Sequence, residues 1–276
     1  MKYFLGTKVA RSKDDMFISQ QKYTKDVLQE AGMEDCKSIA TPIDYNQKIG
    51  KAESEPTVDK QLYQKLCGKL IYLAHTRPDI AFSVSVISQF MQDFRTTHLQ
   101  DAYRILGYLK GITGKCILFT KGDKLLLEAF SDADYAGDVV TRRSTTGYCV
   151  YLGGNLVSWR SKKQGVVARS SAEAEFRAAT HGICELLWIR IILNDLRIEW
   201  QDPMKLYCDN KSAISIAHDP VQHDKTKHVE IDRHFIKEKI DAGNLQISHV
   251  SSEFQLADLL RDFTLLGSKC SHPSLA

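Results

Sequence analysis

Leu125-Leu-Leu-Glu-Ala-Phe-Ser-Asp132-Ala-Asp-Tyr-Ala-Gly-Asp138 decides the reading of this chain. The apolar run up to Ser131 has the texture of a strand, and it closes on an acid followed by turn residues. Leu206-Tyr-Cys-Asp209-Asn210 repeats the arrangement downstream. Acids after strands often serve only as turn and cap residues, which suits Asp209-Asn210 before a helix. Several such acids spread over one fold call for another explanation.

Working outward, residues 147–152 and 156–161 alternate apolar and polar around Gly153-Gly154-Asn155, a hairpin pattern. Ser170-Ser-Ala-Glu173 has the spacing of a capping box and opens a long helix predicted to end near Leu196. Its apolar run over 186–193 is expected in the core. A strand over 205–208, helices over 211–217 and 228–242, a strand over 245–250 and a closing helix over 255–262 follow. The order β-β-β-α-β-α-α-β-α predicts a mixed sheet covered by helices. Upstream, strands over 2–10 and 16–19 precede a helix over 21–31 that Gly32 stops. Residues 36–57 are polar and aperiodic, and three helical patterns cover 60–74, 80–92 and 97–110. The strand over 116–120 is expected to open the second domain.

With 276 residues, 43% hydrophobic, 26% charged and a net charge of +3, the chain is not disordered, collagenous or disulfide-stapled. Seven scattered cysteines include no Cys-x-x-Cys pair, so reduced thiols in an intracellular protein are expected. No apolar run approaches the roughly 18 residues needed to span a bilayer, and the first residues lack the apolar region of a signal peptide. A membrane is therefore not among the expected partners. Residues 139–172 contain no Asp or Glu but hold Arg142, Arg143, Arg160, Lys162, Lys163 and Arg169. Such a stretch suits either a solvated hairpin or contact with a phosphate backbone. Alternation puts Arg160 and Lys162 on one strand face, Trp159 and Lys163 on the other.

Four acids stand out: Asp132, Glu175 in the first turns of the long helix, Asp209, and Asp258 on the final helix. Converging carboxylates repel one another unless cations hold them together. Hard divalent ions such as Mg²⁺ prefer oxygen ligands, and a pair of them about 4 Å apart can clamp a phosphodiester.

At this point the chain resembles a known family. The blocks are Ser131-Asp-Ala-Asp-Tyr-Ala-Gly-Asp138, Arg142-Arg-Ser-Thr-Thr-Gly-Tyr148, Val157-Ser-Trp-Arg-Ser-Lys-Lys-Gln164 and Ala168-Arg-Ser-Ser-Ala-Glu-Ala-Glu-Phe176. Leu206-Tyr-Cys-Asp-Asn-Lys-Ser-Ala213, Thr226-Lys-His-Val-Glu-Ile-Asp-Arg-His-Phe-Ile236 and Gln255-Leu-Ala-Asp258 continue the series. Together they resemble the ribonuclease H domain of copia-type retrotransposon Pol polyproteins. The resemblance implies a ribonuclease H-like, five-stranded mixed sheet flanked by helices, two Mg²⁺ ions and cleavage of the RNA strand of an RNA/DNA hybrid. Asp132, Glu175, Asp209 and Asp258 would hold the metal, and Arg160, Lys162 and Lys163 would contact the hybrid. Glu175 takes the helix position because Glu175-Phe-Arg-Ala178 matches the family pattern. Glu173 would be a capping residue, and Asp134 and Asp138 turn residues.

Upstream, Lys2-Tyr-Phe-Leu-Gly6 onward, Tyr63-Gln-Lys-Leu-Cys-Gly68 and Thr76-Arg-Pro-Asp79 resemble the reverse transcriptase thumb and connection of the same family. The expected division is 1–58 palm and thumb end, 59–115 helical connection, 116–264 ribonuclease H-like domain and 265–276 an aberrant tail. No Tyr-x-Asp-Asp motif occurs, so DNA synthesis is not expected; the remainder of a Pol polyprotein is an expected partner. The tail departs from the family after Leu260, where Asp262 is a substitute for Asp258 one helical turn on. His249 precedes Asp258 but sits on a strand, and His223, His228 and His234 with Asp232 are not spaced as a zinc site. The alternative to an active nuclease is a catalytically inactive remnant that at most binds nucleic acid.

Overall fold

The computed structural model describes residues 2–44, 55–56, 58–122, 124–198, 202–218 and 227–261. Two compact units divide between Lys121 and Gly122.

The first unit begins with β1 (Lys2–Phe4), β2 (Thr7–Arg11), β3 (Asp15–Ser19) and α1 (Gln21–Glu30). It continues with α2 (Lys60–Ala74), α3 (Ala81–Ser88), α4 (Thr96–Gly111) and β4 (Ile117–Thr120). Gly32, at φ +65°, ends α1 as expected, and the Met33 amide closes back on the Leu28 carbonyl at 2.8 Å. Asp59 caps α2 by accepting from the amides of Gln61 and Leu62. Tyr63, Leu70, Leu73, Ile105 and Leu109 form part of a buried core. The helical pattern over 80–92 gives a shorter helix, preceded by a 3₁₀ turn over Pro78–Ile80.

One expected strand belongs elsewhere. Ile117–Thr120 does not open the second domain; it pairs antiparallel with β3, from Asp15↔Thr120 to Ile18↔Ile117. A strand's apolar texture gives no address for its partner, and here the partner lies about a hundred residues upstream.

The second unit contains β5 (Leu127–Ala133), β6 (Thr145–Leu152), β7 (Asn155–Lys163), α5 (Ser171–Asp195), β8 (Met204–Cys208), α6 (Lys211–His218), α7 (Lys227–Asp241), β9 (Leu245–His249) and α8 (Asp258–Arg261). Its sheet has the order β7-β6-β5-β8-β9, with β5, β8 and β9 parallel and the hairpin strands antiparallel. This is the expected five-stranded mixed sheet flanked by helices. Leu127, Ala129, Val150, Phe176, Ile183, Leu186 and Leu206 meet in its core, where α5 covers β5 and β6. Gly182 marks the close crossing: a Cβ there would lie 3.1 Å from Leu206 Cδ1 and 3.7 Å from Ser131 Cβ.

The 186–193 run is core only in part. Leu186 and Leu193 are buried, while Trp188 is 57% exposed and Ile191 and Ile192 also face outward. One helix cannot bury residues all round unless it is packed on every side. Among the described residues no helix is long and apolar enough to cross a membrane.

Candidate active site

Topology gathers the acids. β5 and β8 are parallel neighbours in register Glu128↔Lys205, Ala129↔Leu206 and Phe130↔Tyr207. The same offset carried two residues further sets Asp132 level with Asp209, where both strands end. Glu175 lies seven residues, two helical turns, before Gly182 and so shares the face that crosses β5. Its carboxylate is thereby aimed at the sheet. α8, which begins at Asp258, packs across β5 and β6.

Three of these acids are deeply buried: Asp132 is 1% exposed, Glu175 6% and Asp258 2%. Asp209 is half-buried. Ligand atoms of Glu175, Asp209 and Cys208 lie within 4.8 Å of one another. Burial pushes the Cys208 thiol up, and the carboxylates of Glu175, Asp209 and Asp132 push it further, to about 12, against a hydrogen bond from the Asn210 amide. All three charges therefore act on one buried point. The carboxylates offer hard oxygen donors, which suit Mg²⁺, and the Cys208 thiol lies beside them.

Neighbouring acids do other work. Ser170 accepts from the Glu173 amide, while the Glu173 carboxylate accepts from the Arg169 amide and pairs with Arg177. It is a cap, reaching one residue beyond the expected box. Asp134 accepts from the Thr145 amide, so close to Gly137 that a Cβ there would clash with it. Asp138 accepts from Val140, Thr141 and the Lys163 ammonium. Burial raises the Asp138 carboxyl, but Lys163 and Thr141 outweigh it and hold the group down at about 2. Both are turn residues.

The basic residues divide as strand alternation requires. Arg160 and Lys162 are exposed on β7 and pair in register with Tyr148 and Thr146 of β6. Tyr148 belongs to the α5-covered core, so these two cations stand on the face that also carries Glu175. Partial desolvation, then Lys162, Arg160 and Arg177, hold the nearby His181 imidazole below its ordinary value against Asp232. Lys163 stands on the opposite face, engaged with Asp138. The structure thus separates it from Arg160 and Lys162.

Gln255, Ser252 and Cys208 were not singled out by sequence reasoning. Gln255 and Cys208 stood in the Gln-Leu-Ala-Asp and Leu-Tyr-Cys-Asp-Asn blocks, which gave the only signal for them; nothing marked Ser252. His249 is exposed at the end of β9, opposite Cys208. Asp262, His223 and the residue 265–276 tail lie outside the described residues, as does the side chain of His228.

The five-stranded mixed sheet with its flanking helices is a ribonuclease H-like α/β fold. No protein-family model matches the chain. It is 42% identical over 258 residues to the retrovirus-related Pol polyprotein from transposon RE1 of Arabidopsis thaliana, covering 94% of this chain and 18% of that protein. An uncharacterized mitochondrial protein of the same plant is 39% identical over 67% of this chain and 77% of its own length. A ribonuclease H1 isolated from compost by a metagenomic approach is 17% identical over 50% of this chain and 93% of its own, with a TM-score of 0.38. The chain belongs to the copia-type, retrovirus-related Pol polyprotein family and spans about a fifth of the length of those polyproteins.

Proposed function

We propose that the second unit is a Mg²⁺-dependent ribonuclease H that hydrolyses the RNA strand of an RNA/DNA hybrid. The convergence of Glu175 and Asp209 beside the ends of β5 and β8, with Asp132 acting on the same buried point, carries this reading. Asp132, Glu175, Asp209 and Asp258 would hold two Mg²⁺ ions. When bound, such a pair supplies Lewis-acid activation of water and charge stabilisation at the leaving oxygen. The chain's own part is to bring four carboxylates together and hold them in place, three of them under packing that leaves little freedom to reorient. Arg160 and Lys162 offer charge to the phosphate backbone on the face of Glu175. Recognition of a hybrid through 2′-hydroxyls and groove shape leaves little sequence preference.

The test is cleavage of an end-labelled hybrid with Mg²⁺, beside Asp209→Asn and an EDTA control. The reading requires RNA-strand cutting by the wild type alone, abolished by EDTA. A folded wild type that binds hybrid and never cuts it would establish instead the inactive, nucleic-acid-binding remnant.

A further inference from the structure

We propose that Gln255 is the positioning residue that fixes Asp258 relative to Asp132, an inference that rests on the ribonuclease H reading above. Gln255 is 0% exposed. Its Nε2 donates to the carbonyl of Ser131 at 3.0 Å, and its Oε1 accepts from the amide of Ala257 at 3.2 Å. Ser131 immediately precedes Asp132, and Ala257 immediately precedes Asp258. A glutamine amide holds a donor and an acceptor in one rigid plane. That plane therefore sets the spacing between the two backbones that carry these acids.

α8 needs such a tie. Asp258 is the first residue of α8, where backbone amides have no partner within the helix. Ala257 and Leu260 are buried and draw the segment onto the sheet, but apolar burial is non-directional and does not stop it sliding. The Gln255 bonds supply the direction. The same segment reaches the third acid too: Ser252 Oγ donates to Asp209 Oδ2 at 2.8 Å, and the Val250 amide donates to the Cys208 carbonyl at 3.1 Å. Residues 250–258 thus connect Asp209, the strand of Asp132 and Asp258 in one short run. Hydrogen-bonded partners that orient metal ligands matter in this way because small displacements spoil the donor geometry.

The experiment compares full-length wild type with Gln255→Met, which keeps the volume and loses both bonds, and with Gln255→Glu. The glutamate retains an acceptor for Ala257 and loses the donor to Ser131. Two readouts are taken: steady-state hybrid cleavage across a Mg²⁺ titration, and the rise in Tm that Mg²⁺ produces without substrate. For Gln255→Met the expected result is a kcat about 10–100-fold lower, an unchanged KM for hybrid and a higher Mg²⁺ midpoint in both assays. In the thermal assay, adding Gln255→Met to Asp258→Asn should give no further shift of that midpoint.

If Gln255→Met does not fold, Gln255→Glu must show the kcat loss at constant KM. A folded variant with wild-type kcat and Mg²⁺ midpoint overturns the proposal, as does a lowered Tm with both values intact per folded molecule. If neither variant folds, Gln255 is a determinant of folding and the proposal also falls. Absence of cleavage by the wild type would refute the nuclease reading instead, and the thermal titration would still decide the role of Gln255.

Discussion

Each unit buries acids, and the two units treat them differently. In the first, Asp79 receives the Arg77 guanidinium at 2.8 and 2.6 Å and the Tyr108 hydroxyl at 3.0 Å, while Arg77 also donates to the Ile112 carbonyl. Burial raises the Asp79 carboxyl, but Arg77 and Tyr108 outweigh it and hold it below its ordinary value. That carboxylate has a cation built into the fold and ties the turn before α3 to α4. In the second unit, Glu175 and Asp209 stand within 4.8 Å of each other and of a thiol on which Asp132 also acts. In the first unit the fold supplies the counter-charge itself; in the second it gathers like charges, the feature on which the proposed metal site rests.

The contrast is broken most directly by exchanging the consequences. Asp209→Asn should lower hybrid cleavage roughly a thousandfold, several kcal/mol of transition-state stabilisation, without destabilising the unit. Tryptophan fluorescence checks the second half of that statement, since Trp159, Trp188 and Trp200 all lie beyond Lys121. A variant that unfolds would place Asp209 with Asp79 as a structural acid. Asp79→Ala should do the opposite, costing about 3 kcal/mol because Arg77 is left buried with no counter-charge. Urea denaturation followed by circular dichroism measures it; a midpoint within error of wild type would remove Asp79 from the structural class.

Another buried acid of the first unit, Asp101, sharpens the comparison through pH. Burial raises the Asp101 carboxyl to about 6, with Arg104 opposing and Asp44 and Glu55 adding to it. Between the unfolded value near 3.9 and about 6, the folded form holds the proton that the unfolded form has released. Stability from this group therefore falls as pH rises through that window and is level above it. The loss is about 3 kcal/mol, and Asp101→Asn should abolish it. The check is the difference in unfolding free energy between wild type and variant from pH 4 to 7, and a constant difference would contradict it.

How much of this was legible in the sequence follows from what patterns can encode. Strand-ending acids, the Ser170 cap, the Gly32 stop and the face that Arg160 shares with Lys162 are local, and local spacing predicted each of them. Partner choice is not local, which is why Ile117–Thr120 was placed in the wrong unit. Likewise, Trp188 and Ile191 look as apolar as Leu186, and only the number of elements packed around α5 separates exposed from buried. Gln255 was visible as a letter in a block, but its role needs the Ser131 carbonyl, which lies 124 residues away in sequence.

The smallest effect tests the two faces of β7 against each other. Neutralising one phosphate contact should reduce the slope of log K against log salt by about 0.9 and weaken binding alike across sequences. Arg160→Ala and Lys162→Ala should each do this, because both cations are exposed on the face of Glu175. Lys163→Ala should leave the slope unchanged, since its ammonium is turned to Asp138 on the other face. It should instead release Asp138, whose carboxyl Lys163 and Thr141 together hold down at about 2, so that its pKa climbs toward the ordinary carboxylate range. Hybrid binding by fluorescence anisotropy over a salt series, with NMR titration of Asp138, separates these outcomes. If Lys163→Ala flattens the slope as much as Arg160→Ala, nucleic acid reaches both faces of the strand, and the division drawn from alternation does not govern binding.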